Sequence, residues 1–410
     1  MTAHTIQDLR QRQALPLEVK VRMTKLRIRE WIDEFGVDGV YVSFSGGKDS
    51  TVLLHLVREL YPDVPAVFSN TGLEYPEIVQ FVKTFENVEI IRPQMTFKQV
   101  IQTYGYPFFS KETSEAVSES KKYLRKYMES STIAKTDRQT DRQTDRQTDR
   151  QTDRQMPNYC HFCDLLGIAR RGTEKESADV SLLKMGVIPD KFKYRLPVRI
   201  LQMLGELPHT EKGVLTEEHS NRYDKSRFMF MLDAPFEISN RCCAVMKKKP
   251  MKAYQKRTGR NPMTAQMAEE SYLRQSVWIK YGCNHFDSKT PVSNPMSFWT
   301  NQDVLRYIKE NNIKIASVYG DVVYQDSQMD IADFGLAEDN RQLKTTGCNR
   351  TGCMFCGYGC HLRDDDRFVR MKETHPKLYD YIMRPESQGG LNYKEVIDWI
   401  NENGNFNIKY

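Results

Sequence analysis

The sequence has no uninterrupted apolar run of about eighteen residues, so nothing in it reads as a membrane-spanning helix. Its first residues, Met1-Thr-Ala-His-Thr-Ile-Gln-Asp8, lack the basic and apolar regions of a secretory leader, and a cytoplasmic location is expected. Charge of one sign is also missing. The 60 Lys and Arg against 54 Asp and Glu leave +6 over 410 residues, which suits anionic ligands but is no signature of a nucleic-acid binder. Scattered cysteines are few too: eight of the nine present are clustered, which in a reducing compartment points to metal or redox chemistry rather than structural disulfides. A hydrophobic share of 39% is enough for a real core, and the length allows two domains or one large domain with insertions.

One stretch has no apolar residue at all. Thr136 through Gln155 is Thr-Asp-Arg-Gln repeated five times, its charges cancel, and it cannot contribute to a core. It is expected to be a flexible insertion or a solvated helical arm, without catalytic content. The tetrapeptide can be encoded as ACA-GAC-AGA-CAG, the tetranucleotide ACAG three times over. We hypothesise a slippery gene repeat whose copy number shifts the reading frame and makes expression phase-variable. Mixed synonymous codons across the repeat would remove the idea.

The richest stretch is Tyr41-Val-Ser-Phe-Ser-Gly-Gly-Lys-Asp-Ser50. Val40, Val42 and Phe44 alternate as in a half-buried strand, and Thr51 to Leu60 reads as a helix. Between them, Gly46 and Gly47 let the backbone approach an anion and turn its amides inward, while the helix N-terminus adds free amides and positive dipole. Lys48 supplies a mobile cation; Ser45, Ser50 and Thr51 supply hydroxyls. The gap and ending of a Walker loop are missing, which disfavours ordinary P-loop ATPase chemistry.

Around this loop, residues 17–35 carry a helical apolar stripe ending before Gly36. Pro65 to Gly72 reads as strand and turn, a helix starts near Pro76, and Val88–Ile91 is a further strand. Alternating strands and helices predict an α/β protein, a doubly wound parallel sheet of Rossmann-like type. Ligands of such sheets bind beyond the carboxyl ends of the strands, where the Gly-Gly-Lys loop and Asn70-Thr-Gly-Leu-Glu74 fall. Glu74 is either a group positioning a metal or a substrate hydroxyl, or a solvent-exposed carboxylate at a helix entry.

The Ser45–Ser50 run resembles the PP-loop of the ATP pyrophosphatase superfamily, whose members hold ATP or an adenylyl sulfonucleotide. That resemblance implies nucleotide contacts from Ser45, Gly46, Gly47, Lys48, Asp49, Ser50, Thr51 and Glu74, with Lys48 and Asp49 as catalytic candidates and magnesium as an accompanying ion.

Cys242-Cys243 stands before a basic run, and Gly347-Cys-Asn-Arg-Thr-Gly-Cys-Met-Phe-Cys-Gly-Tyr-Gly-Cys-His361 lies far downstream. Two pairs of thiolates match the donor number of an all-cysteine iron–sulfur or zinc site. The chain here resembles the cluster-bearing branch of the phosphoadenosine and adenosine phosphosulfate reductase family. By that resemblance Cys242, Cys243, Cys353 and Cys356 would hold a 4Fe–4S cluster, with zinc as the runner-up and Cys348 and Cys360 as alternative ligands. Glu270-Ser271-x-x-Arg274 resembles a substrate-binding element, implying a nucleotide contact from Arg274, although the Gly-x-Arg that should precede it is replaced by Ala265-Gln266-Met267. In Asn294–Ile308, Thr300 is an N-cap and Trp299 a packing residue. The family reductases carry their nucleophile in a Glu-Cys-Gly-Leu-His segment; this sequence has none, and Cys360-His361 is its distant echo.

Lys247 to Arg260 carries seven basic side chains in fourteen residues. It reads as a solvated face, a phosphate or sulfate clamp, or a polynucleotide track with Tyr254 available for stacking and Lys121–Tyr127 extending it. Cys160-His-Phe-Cys163 is a metal or redox candidate, or packing.

These readings divide the chain into an N-terminal helical segment (1–36), a nucleotide-binding core in two parts (37–130 and 159–335), the repeat insertion (131–158), and a cysteine-rich loop with C-terminal helices (336–410). They imply a nucleotide-binding protein of sulfur metabolism, in three versions. One is a reductase served by a thiol reductant. The second is an ATP-dependent sulfurtransferase that modifies nucleic acid and draws on a sulfur-donor protein. The third is a non-catalytic regulator.

Overall fold

The computed structural model describes residues 4–136, 199, 202–203, 208–211, 214–219, 223–325 and 341–410. The repeat from residue 137 onward and the Cys160–Cys163 pair lie outside the described residues. The chain divides into two compact units, residues 1–97 with 244–354, and residues 98–243 with 355–410.

The first unit is built on six strands: β1 (Val40–Ser43), β2 (Ala66–Ser69), β3 (Val88–Ile91), β4 (Asn261–Met263), β5 (Asn284–His285) and β6 (Val292–Ser293). Their order in the sheet is β3-β2-β1-β4-β6-β5. All neighbours are parallel except β5 and β6. This is the expected α/β architecture. Parallel neighbours cannot be joined by a hairpin, so helices make the returns.

Leu17–Phe35 forms α1, which ends where Gly36 turns to φ +73°. The helix after the phosphate loop, α2 (Lys48–Leu60), starts three residues earlier than its apolar pattern suggested. Pro76–Val82 forms α3. Val52, Leu53, Leu54, Leu56 and Val57 of α2 are all buried, each contributing roughly 1.5–3 kcal/mol and pinning the loop above to the sheet.

Strand β1 is not half-buried as its alternation suggested. Val40, Val42 and Phe44 enter the main core, while Tyr41 is equally buried in a second cluster with Val67 and Tyr254. The reason is the parallel topology, which covers both sheet faces with helices. Tyr254 comes from α4 (Lys249–Thr258), its ring 5.0 Å from that of Tyr41. Other helices of this unit are Ile6–Gln13, α5 (Tyr272–Tyr281) and α6 (Asn301–Glu310). Thr300 caps α6 through a reciprocal bond with Asp303, and Trp299 is buried with its indole N–H on Thr24, both as expected. Asp303 also takes the buried Lys20 at 2.7 Å.

In the second unit, Phe108–Phe109 pairs in parallel with Gly357–Tyr358. Phe109 holds φ +62°, a costly conformation for a bulky residue, with its ring buried among Phe228, His361 and Phe406. Helices Arg367–Thr374, Pro376–Met383 and Tyr393–Gly404 complete this unit's C-terminal part. Among the described residues no helix is long and apolar enough to cross a membrane.

Candidate functional site

The Ser45–Thr51 segment links the carboxyl end of β1 to α2. Gly46 lies at φ +70°, and a Cβ there would stand 2.8 Å from the γ-methyls of Ile78 and Val82 on α3. Only glycine allows the loop to turn and lie so close to that helix. Hydroxyls brace what the glycines bend. The Ser45 N–H donates to Ser50 Oγ (3.2 Å), and the Gly47 N–H to Ser45 Oγ (3.3 Å). Ser50 and Thr51 each donate to the Gly47 carbonyl at 2.9 Å. These two hydroxyls therefore hold the loop's shape in this structure.

Lys48 is buried, its ammonium 3.5 Å from Asp49 Oδ1. That carboxylate oxygen is itself buried and makes no hydrogen bond. Both residues line a cleft of about 390 Å³ that also takes Glu269, Glu270, Lys344 and Arg350. Glu270 accepts the Met267 N–H and pairs with both Arg274 and Arg350. Burial and the Arg350 charge press against the protonated state of Arg274, while Asp49 favours it. Cations and carboxylates thus share one electrostatic neighbourhood beside the phosphate loop. Arg274, the residue placed by the Glu-Ser-x-x-Arg resemblance, is part of it. Arg350 is a residue that the sequence reading missed, despite its place in the cysteine-rich loop.

Glu74 is not the exposed helix-entry carboxylate offered as one alternative. It is largely buried, takes the Thr71 N–H at 2.9 Å and the Thr71 hydroxyl at 2.8 Å, and faces Lys247 at 3.8 Å. It buckles the Asn70–Glu74 turn into shape and brings one lysine of the basic run to that turn.

A second missed residue is Tyr319, which carries no motif in sequence. Its buried hydroxyl accepts the Lys48 N–H at 3.3 Å and lies 2.5 Å from Thr351 Oγ1. The Cys348–Met354 segment is tied at both ends, by Cys348 N–H to Val318 O (2.9 Å) and Met354 N–H to Leu73 O (2.8 Å).

Of the proposed cluster ligands, Cys353 belongs to the first unit and Cys242, Cys243 and Cys356 to the second. Burial raises the pKa of the Tyr358 phenol well above its ordinary value, and the charges of Cys243, Cys356 and Cys242 add to it. Tyr393, fully buried, is raised in the same way by burial and then by Cys356, Cys242 and Cys360. The second-unit thiols therefore share one neighbourhood. Arg367, clamped on Asp365, holds the Cys356 carbonyl at 2.7 Å. Among the described residues no group of three or more His, Cys, Asp or Glu is already arranged to hold a metal ion. Cys348 and Cys360, the alternative ligands, are buried; burial pushes the Cys360 thiol far up.

Two parts of the proposed polynucleotide track are corrected. Tyr254 is 2% exposed and packs on Tyr41, so it cannot stack on a base. Lys121 is buried in the second unit, donating to the carbonyls of Ala234 (2.7 Å) and Phe236 (2.9 Å), and offers no charge to a phosphate. Of the basic run itself, Lys248, Lys249, Lys252 and Lys256 are exposed and form no ion pair among the described residues. Lys247 and Arg257 pair with Glu74 and Glu89.

A parallel sheet whose first strand ends in a Gly-Gly-Lys loop feeding a helix N-terminus defines a PP-loop fold of Rossmann-like type. The chain belongs to the phosphoadenosine phosphosulfate reductase domain family, which matches residues 39–168 and 189–357. A phosphoadenosine 5'-phosphosulfate reductase of Klebsiella pneumoniae is 33% identical over 107 residues, 22% of this chain and 43% of that protein. The enzyme of the same name from Xylella fastidiosa is 34% identical over 68 residues, 15% and 29% respectively. An uncharacterized protein of Methanocaldococcus jannaschii is 44% identical over 46 residues, 11% of each chain. The aligned stretch covers less than half of each of these relatives.

Proposed function

We propose that this protein binds ATP or an adenylyl sulfate on the Ser45–Thr51 loop and carries out sulfur transfer or sulfur redox chemistry with it. The observation that carries the reading is the loop itself: buried Lys48 and the unbonded Asp49 oxygen face a polar cleft at the carboxyl end of β1. In this reading the amides of Gly46 to Lys48 bind the phosphate or sulfate, Lys48 neutralises charge that develops on it, and Asp49 holds the lysine or a magnesium ion. Arg274 and Arg350 extend the positive field over the cleft.

Cys242, Cys243, Cys353 and Cys356 are the proposed holders of a 4Fe–4S cluster, with zinc as the competing occupant. Soft thiolate donors suit both. The shared influence of Cys242, Cys243 and Cys356 on Tyr358 supports their acting as one set. A cluster, when bound, supplies electrons or carries sulfur; zinc would supply structure alone.

Two chemistries compete. Reductive cleavage of an adenylyl sulfate needs an attacking thiolate, and the family relatives named as reductases favour it. The buried, protonated Cys360 is poorly suited to that role. Attack of an acceptor oxygen on the α-phosphorus of ATP, with pyrophosphate leaving, needs no such thiolate. The exposed lysines of α4 favour a polyanionic acceptor such as nucleic acid.

The deciding experiment is anaerobic purification with iron, zinc and sulfide analysis, followed by two assays. Sulfite release from adenylyl sulfates identifies a reductase; nucleic-acid-stimulated pyrophosphate release from ATP identifies a transferase. Tight nucleotide binding with neither identifies a regulator. Unaltered turnover in Lys48→Ala would remove the loop from the chemistry.

A further inference from the structure

We propose that the Tyr319 hydroxyl is a working member of the anion cradle and that, through Thr351, it couples occupancy of the phosphate loop to the Cys348–Met354 segment. The proposal rests on the nucleotide-binding reading of the Ser45–Thr51 loop.

The Lys48 N–H is the first amide of α2, the group a phosphate loop turns toward its anion. Here it donates instead to Tyr319 Oη at 3.3 Å. A buried tyrosine hydroxyl needs a partner for structural reasons alone. This one already has one in Thr351 Oγ1 at 2.5 Å, so the contact to the loop is additional. The hydroxyl also sits where a side chain on Gly47 would point: a Cβ there would lie 3.3 Å from Tyr319 Oη and 3.9 Å from Thr351 Oγ1. Tyr319 and Thr351 thus stand directly over the glycine backbone that the cradle is made from.

A hydroxyl has one proton and two lone pairs. With the loop in its present state, the Tyr319 oxygen accepts from Lys48 and is bonded to the Thr351 hydroxyl, either of the two hydroxyls being able to donate. An anion in the loop offers a stronger, charged acceptor, and the Tyr319 proton turns to it. Only Thr351 can then donate within the pair, which fixes the orientation of its hydroxyl. Thr351 lies in the segment between Cys348 and Cys353, and the residue just before that segment is anchored to the tyrosine's own backbone by Gly347 N–H to Tyr319 O at 2.8 Å. Its far end, Met354, is bonded to Leu73, inside the Asn70–Glu74 turn that Glu74 braces. The segment therefore spans the two loops at the carboxyl ends of β1 and β2. A change at the phosphate loop has a path of direct contacts to it: Lys48, Tyr319, Thr351. Reciprocity follows, since whatever orders residues 348–354 must then alter anion affinity by the same factor.

The test uses the full chain. Calorimetric titration with inorganic pyrophosphate and with ATP is compared for the unaltered protein, Tyr319→Phe and Thr351→Val. Hydrogen–deuterium exchange of residues 347–354 is followed with and without saturating pyrophosphate. Tyr319→Phe keeps the buried ring and removes only the hydroxyl; pyrophosphate affinity is expected to fall about tenfold, the size of one charge-assisted hydrogen bond. Thr351→Val is expected to weaken binding less. In the unaltered protein pyrophosphate changes exchange in 347–354; in both variants that response disappears at saturation. Affinity within twofold of the unaltered protein in Tyr319→Phe, or a persisting exchange response in both variants, overturns the proposal. Should Tyr319→Phe not fold, the exchange response of Thr351→Val decides alone. Failure of the unaltered protein to bind pyrophosphate or ATP removes the nucleotide reading and this inference with it. Binding with wild-type behaviour in the variants removes this inference only.

Discussion

Replacing Gly46 by alanine tests the phosphate loop at its tightest point. The residue holds φ +70°, which costs an L-amino acid about 1–2 kcal/mol. The new methyl would also stand 2.8 Å from two γ-methyls, one on Ile78 and one on Val82, both fully packed. Carbon atoms prefer about 3.5–4.0 Å, so both neighbours must retreat by most of an ångström. Overpacking of this kind typically costs about 1–3 kcal/mol. The two costs together predict a loss of about 2–5 kcal/mol, taken either as stability or as displacement of the loop from α3. Gly47→Ala is the control, because its backbone is ordinary at φ −75° and its Cβ would meet only hydroxyl oxygens at 3.2 and 3.3 Å. Urea denaturation followed by tryptophan fluorescence in a Trp399→Phe background reads the first unit, since Trp31, Trp278 and Trp299 all lie in it and Trp399 alone lies in the second. A pyrophosphate titration reads the loop. Gly46→Ala within about 0.5 kcal/mol of the unaltered protein, with unchanged anion binding, would refute the reasoning. So would a greater loss of stability in Gly47→Ala than in Gly46→Ala.

Alkaline pH should unfold the first unit. Burial raises Tyr41 and, with Glu59, Tyr307 to about 12, against 10.0 in the unfolded chain. The stability from keeping these phenols neutral is fully present below pH 10 and is lost as pH rises through about 12. The expected slope is roughly 1.4 kcal/mol per pH unit for each tyrosine, and denaturation midpoints that stay flat from pH 10 to 12 would count against it. Cys243→Ser and Cys356→Ser, purified anaerobically, should each lose iron and acid-labile sulfide; full retention in either excludes that residue as a ligand. Lys248→Glu with Lys252→Glu should weaken single-stranded DNA binding and flatten its dependence on salt in filter-binding titrations. Equal binding before and after the change would leave the α4 face as a merely solvated one.

The first unit's framework was largely legible in sequence. The apolar stripe of 17–35, the strand–loop–helix at 40–60 and the Thr300 cap follow rules of local periodicity and capping, so short windows suffice to read them. What local pattern misread was exposure. Tyr41 looked like the outer face of a half-buried strand, and Tyr254 and Lys121 looked available to a nucleic acid. All three are buried by elements distant in sequence. Glu74 likewise is engaged by the turn it closes and by Lys247.

The residues around the phosphate loop divide in the same way. Gly46, Gly47 and Lys48 are readable from sequence because a tight anion-binding turn restricts backbone conformation within a few consecutive positions, and that restriction is written as glycines. Tyr319, Thr351 and Arg350 reach the loop's surroundings from some 270 to 300 positions away. Nothing in their own neighbourhoods restricts them to those roles. Only the packing of the parallel sheet, which brings the carboxyl ends of its strands and the segments that follow them to one edge, puts a tyrosine hydroxyl on the Lys48 amide.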